Sequence, residues 1–130
     1  MSTDRLELRD FGNGILAGLH TRNVNILDER ELGNLHASFL AAFKIVEERY
    51  GRHNLRFAII THKVYGTSGD VDQIFRNWLG VGWATKDAPG TLYRLRISDT
   101  SAEKFLSELP GGRDLYLDAT TAFLRQYRGY

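Results

Sequence analysis

The stretch Leu55-Arg56-Phe57-Ala58-Ile59-Ile60-Thr61-His62-Lys63-Val64-Tyr65-Gly66-Thr67-Ser68-Gly69-Asp70 decides how this chain is read. Its unbroken apolar run, 57–60, has the character of an interior strand covered on both faces, because a strand facing water on one side alternates apolar with polar residues. Residues 61–69 then read as a loop into a helix marked by Val71, Ile74, Phe75, Trp78 and Leu79, which Gly80 can end. In an open α/β sheet, sites form where strands end and helices begin, so this loop is the first place to look for function.

Upstream of the strand lies the clearest helix in the sequence. Leu32, Leu35, Phe39, Phe43 and Val46 fall on one stripe, Asp28 and Glu31 can cap its start, Arg49 suits its negative end, and Gly51 can close it. A helix before an interior strand implies a right-handed crossover. Further upstream, Leu6 and Leu8, the turn Phe11-Gly12-Asn13-Gly14, and the alternating Ile15, Ala17 and Leu19 predict a hairpin. Downstream, Tyr93, Leu95 and Ile97 alternate with Arg94 and Arg96 as a strand. Thr100 and Glu103 form a capping box for a helix carrying Phe105, Leu106 and Leu109, stopped by Pro110-Gly111-Gly112. Residues 115–117 offer a short strand, and Asp118 can cap a last helix with Ala119, Ala122, Phe123 and Tyr127. The expected fold is α/β: a mixed sheet of four or five strands with helices packed on it, in the order β-β-α-β-α-β-α-β-α.

At 130 residues the chain fits one domain spanning residues 1–130, with neither internal repeat nor linker. Its 42% hydrophobic and 25% charged residues are globular proportions. Seventeen Lys and Arg against 16 Asp and Glu leave a net charge of +1, so no global field draws the chain to nucleic acid or to an anionic membrane, and neither is expected as a partner. The absence of cysteine removes thiol catalysis, Cys-based metal sites and disulfides. With no leader-like or spanning apolar stretch, the expected location is cytoplasmic.

Chemistry-bearing patterns are few. His20, His36, His53 and His62 show no metal-ligand spacing, and no phosphate-cradling or dinucleotide fingerprint is present, so neither a metal, a cofactor nor a catalytic residue is expected. Arg49, Arg52, His53 and Arg56 form a basic group and Arg94 and Arg96 line a strand, which reads as a solvated rim. Trp83 and Tyr65, both in loops, are the aromatic residues free to anchor an interface. Thr67 and Ser68 precede a helix, where one of them serves as its N-cap. A phosphate there would add a charge of about −1.5 to −2, favoured by the helix dipole and opposed by Asp70 and Asp72. Thr67 and Ser68 are therefore the phospho-acceptor candidates, and Tyr65, Gly66, Gly69, Asp70 and Asp72 the expected contact surface.

Three strings resemble STAS domains, the fold of anti-sigma-factor antagonists and stressosome components. They are Asn25-Ile26-Leu27-Asp28-Glu29 before a long helix, Val64-Tyr65-Gly66-Thr67-Ser68-Gly69 before the next, and residues 105–109 followed by Asp114-Leu115-Tyr116-Leu117-Asp118. The resemblance implies a non-catalytic module that docks on a regulatory protein such as a Ser/Thr kinase or an anti-sigma factor, and that leaves when the first hydroxyl residue, Thr67 here, is phosphorylated. Gly66 stands where that family has aspartate, and Asp70 where an apolar residue is usual. An alternative resemblance, carried by residues 19–27 and 59–71, is to the first part of a crotonase. It implies a truncated or inactive acyl-CoA binder whose oxyanion-holding amides lie near Ser68 and Gly69.

Overall fold

The computed structural model describes residues 5–28, 32–61, 66, 68–87 and 92–128. Among these residues five α-helices accompany a small antiparallel sheet, in the order α1 (Leu8–Thr21), β1 (Ile26–Asp28), α2 (Leu32–Tyr50), α3 (Gly69–Val81), β2 (Ala84–Lys86), β3 (Leu92–Leu95), α4 (Asp99–Glu108) and α5 (Arg113–Arg128). The sheet among the described residues has three strands in the order β1-β3-β2. Leu27 faces Tyr93 on one side of β3, and Ala84 faces Leu95 on the other. The chain is therefore mixed α and β, but the expected sheet of four or five strands is not what these residues build.

The predicted N-terminal hairpin is a helix. Asp10 accepts the Glu7 amide at 3.2 Å in a capping box, and α1 then runs through the Phe11-Gly12-Asn13-Gly14 string that resembles a turn. Its glycines serve close approach instead. A methyl group at Gly14 would lie 2.1 Å from the Tyr116 ring, one at Gly18 would lie 2.0 Å from Thr120 Oγ1, and one at Gly12 would lie 3.0 Å from Ile74. Residues 11–19 are all buried, so the alternation of Ile15, Ala17 and Leu19 belongs to a stretch of helix that is covered on every side.

The apolar run 57–60 is not a strand. Leu55 makes a lone parallel bridge to Leu6, with the Leu6 amide donating to the Asn54 carbonyl and the Arg56 amide to the Leu6 carbonyl, both at 2.9 Å. Phe57 turns onto Phe11 and Phe43, with ring centroids at 5.3 and 5.4 Å, and Ile59 is buried, while Ile60 is 72% exposed. The segment thus offers one face to helices and forms no ladder, which removes the inferred crossover.

Three predictions at helix ends and strands also change. Residues 115–117 lie within α5, where Leu115, Tyr116, Ala119 and Phe123 make a buried helical face, and Asp118 sits inside that helix. Ser98, not Thr100, caps α4, accepting the Ser101 amide at 3.1 Å. Asp28 belongs to β1, and Glu31 lies outside the described residues.

The stripe on α2 is as expected. Leu35, Phe39, Phe43 and Val46 are buried, and Phe39 sits at the centre of the core with ring centroids 4.9 Å from Phe123, 5.5 Å from Phe75 and 6.0 Å from Trp78. These edge-to-face and tilted rings join α2, α3 and α5 in a single core, each contact adding about 0.5–1.5 kcal/mol beyond area burial. Among the described residues no helix is long and apolar enough to cross a membrane.

Candidate functional site

The start of α3 is anchored from inside. Ser68 is buried, its amide donates to Nδ1 of the fully buried His36 at 2.7 Å, and its hydroxyl accepts the Asp70 amide at 3.2 Å as the N-cap. Because Nδ1 accepts, the proton of neutral His36 resides on Nε2, which lies 3.7 Å from Asp72 Oδ1. Histidine on the α2 stripe thus positions α3.

Of the residues singled out in the sequence, Gly66 has φ +67°, Gly69 is exposed, Asp70 is half-buried and Asp72 is exposed. Tyr65 and Thr67 lie outside the described residues, as does His62. Trp83 is half-buried, edge-on to Phe105 with ring centroids 5.0 Å apart, so its ring is spent on packing.

Beyond its first turn, α3 turns a polar face outward. Gln73 and Arg76 are exposed and Asn77 half-exposed, tied together by Gln73 Nε2 to Asn77 Oδ1 at 2.9 Å and Arg76 Nη2 to Gln73 Oε1 at 3.1 Å. Spacings of three and four put these side chains on one face. Gln73 and Asn77 line a shallow concavity of about 450 Å³ together with Glu7, Leu8, Arg9 and Arg56. The backbone pairing at Leu6 brings Arg56 beside the start of α1, and the Gly12–Ile74 contact brings α1 against α3.

That grouping is the feature sequence reasoning missed. Arg56 reads as one member of a basic group with Arg49 and Arg52, yet Arg49 pairs with Asp118 and Arg52 with Glu47 at 3.8 Å. Among the described residues no carboxylate lies within ion-pairing distance of Arg9, Arg56 or Arg76. Arg94 points outward from β3 as the alternation predicts, whereas the strand ends at Leu95 and exposed Arg96 and buried Ile97 lie beyond it.

A second polar concavity of about 310 Å³ lies between α1 and α4, lined by His20, Thr21, Asn23, Asn25, Asp99 and Glu103. His20 Nε2 meets Asp99 Oδ1 there at 2.5 Å, tying the two helices. Among the described residues no group of three His, Asp or Glu side chains converges to hold a metal ion.

No family model matches the chain, and neither a curated protein nor a solved structure is detectably similar to it.

Proposed function

We propose that this chain is a non-catalytic regulatory binding module whose contact face is the outer side of α3, from Gly69 through Asn77, bordered by Arg9 and Arg56. The observation that carries this reading is the uncovered polar face of Gln73, Arg76 and Asn77, held by a helix whose opposite face and first turn are fixed in the core. A rigid element presenting unburied hydrogen-bonding groups beside a concavity is suited to recognition.

The partner-switching role implied by the STAS resemblance uses the same end of α3. The Ser68 hydroxyl is buried and engaged as the cap, so a phosphate at that residue would first have to dismantle the helix start. Thr67 is then the acceptor on which a switch depends. The acyl-CoA reading is weaker, because of the amides near Ser68 and Gly69 on which it depends, that of Ser68 is already given to His36.

A photo-crosslinking side chain placed at Asn77, and separately at exposed Lys104 on α4, tests the reading in cells that produce the protein. Adducts with a macromolecule from position 77 and not from position 104 are expected. Equal yields from both positions, or none from 77, would overturn it.

A further inference from the structure

We infer that the start of α3 is closed by an acid-sensitive latch: neutral His36 holds Ser68 in the interior, and a second proton on that ring releases it. The inference stands on this contact and does not depend on what the outer face of α3 binds.

Its first ground is the polarity of the contact. The Ser68 amide is a fixed donor, and His36 meets it with Nδ1 at 2.7 Å, which requires a bare lone pair on that nitrogen. In the imidazolium both ring nitrogens are donors, so an Nδ1–H would face the amide N–H and the two groups could not stay together. His36 and Ser68 are only 0% and 2% exposed, so a charged ring and an unmatched amide would each carry a desolvation cost in place.

Its second ground is that Ser68 is able to leave without the rest of α3. Gly66, at φ +67°, and Gly69, with nothing within 4 Å of an added Cβ, stand on either side of it, and glycine reorients at the least steric cost. Beyond them α3 is fixed in the core by Val71, Ile74, Phe75 and Trp78. Opening at Ser68 forfeits the bond to His36, the cap on the Asp70 amide and the 3.2 Å bond from the Asp72 amide to the Ser68 carbonyl. The contacts of the Phe39 ring with Phe75 and Trp78 are left in place.

Its third ground is the charge around the ring. Among the described residues the acid that meets His36 is exposed Asp72, with Oδ1 3.7 Å from Nε2, and Asp70 adds a second negative charge in the same turn of α3. Residues 32–43 of α2 carry no charge. Of the other elements packed on α2, β1 brings Asp28 and α5 brings Asp118 and Arg125; Asp118 is taken by Arg49, and neither acid forms an ion pair with the ring. The acids of α3 favour a positive ring without offering an acceptor to the Ser68 amide. The closed form thus excludes the second proton and the open form accepts it. Above the ordinary histidine value of about 6.5 the latch is closed, and below it each pH unit raises the ratio of open to closed about tenfold.

The test is amide hydrogen exchange of the full chain, followed by NMR from about pH 7.5 to about pH 5 with rates corrected for their intrinsic pH dependence. Protection at Ser68 and Asp70 is expected to fall about tenfold per unit below about pH 6.5, in step with the ring signals of His36, while Ala119 and Phe123 on α5 keep theirs. His36→Asn sets an amide oxygen where Nδ1 stands, an acceptor that does not titrate in this range, and should make protection at Ser68 independent of pH. Asp72→Asn removes the acid facing Nε2 from an exposed position and should move the loss of protection to lower pH, which keeps the test open if His36→Asn does not fold. Constant protection at Ser68 in the folded wild type, or a fall matched by Ala119 and Phe123, overturns the inference. So does an unaltered pH dependence in folded His36→Asn, or an unmoved midpoint in Asp72→Asn.

Discussion

The backbone amide of Ser68 donates to Nδ1 of His36, 32 residues earlier in the chain, across 2.7 Å in the interior. This bond joins the second turn of the core helix α2 to the N-cap of α3, the element on which function is proposed. It also places a buried histidine where its ring holds backbone.

His36→Ala should leave the Ser68 amide without its acceptor and cost roughly 1–3 kcal/mol from that group alone. Urea denaturation of wild type and variant measures the loss, and hydrogen exchange at Ser68 and Asp70 should accelerate in the variant. Ser68→Ala, which removes only the cap, should cost about 1 kcal/mol.

Gly14→Ala and Gly18→Ala should each destabilise by about 1–3 kcal/mol or more, since the added methyl meets Tyr116 and Thr120 at distances no side chain tolerates. Gly80→Ala, in open space on α3, should raise stability by roughly 0.5–1 kcal/mol. Equal effects at all three would mean that α1 does not approach α5 closely.

Alkaline pH should weaken the fold through Tyr116. Burial pushes its phenol well above the ordinary range, the charges of Asp10 and Tyr50 push it further, and its hydroxyl donates to the Pro110 carbonyl. With the folded value raised above an unfolded value near 10, the contribution is complete below about pH 10 and is lost as pH climbs toward the folded value. The stability gap between wild type and Tyr116→Phe should therefore narrow above about pH 10, measured by denaturant melts across that range.

Thr67→Asp should leave the melting temperature within a degree or two, because Ser68 keeps the cap, while lowering the Asn77 crosslink yield if charge before α3 controls the face. An unchanged yield would argue against a phosphorylation switch at this site.

Much of the α2–α3 half was legible in the sequence. The stripe of Leu35, Phe39, Phe43 and Val46, the buried face of α3, a hydroxyl cap before it and the alternation around Tyr93 all follow local rules that the packing respects. Illegible were places where a residue serves a neighbour instead of its own segment. Gly12, Gly14 and Gly18 resemble turn residues but make room for Ile74, Tyr116 and Thr120. Phe57 and Ile59 resemble an interior strand, but Phe57 lies against the rings of Phe11 and Phe43 and Ile59 is buried in the core without a strand partner. The start of α3 could be picked out as a site from its loop and cap, whereas the grouping of Arg9 and Arg56 depends on the Leu6–Leu55 bridge, which no spacing in the sequence announces.

α1 and α2 find much of their cover on α5, and even the amide of Asp28 is held by the hydroxyl of Tyr127 at 2.6 Å. Elements made first are thus closed by the element made last. At ordinary translation rates of about 5–20 residues per second, the stretch between α2 and the end of α5 takes several seconds to appear. For that interval the nascent chain displays Phe11, Phe39 and Phe43 to water or to a chaperone, and slowing synthesis downstream of α2 should prolong that exposure.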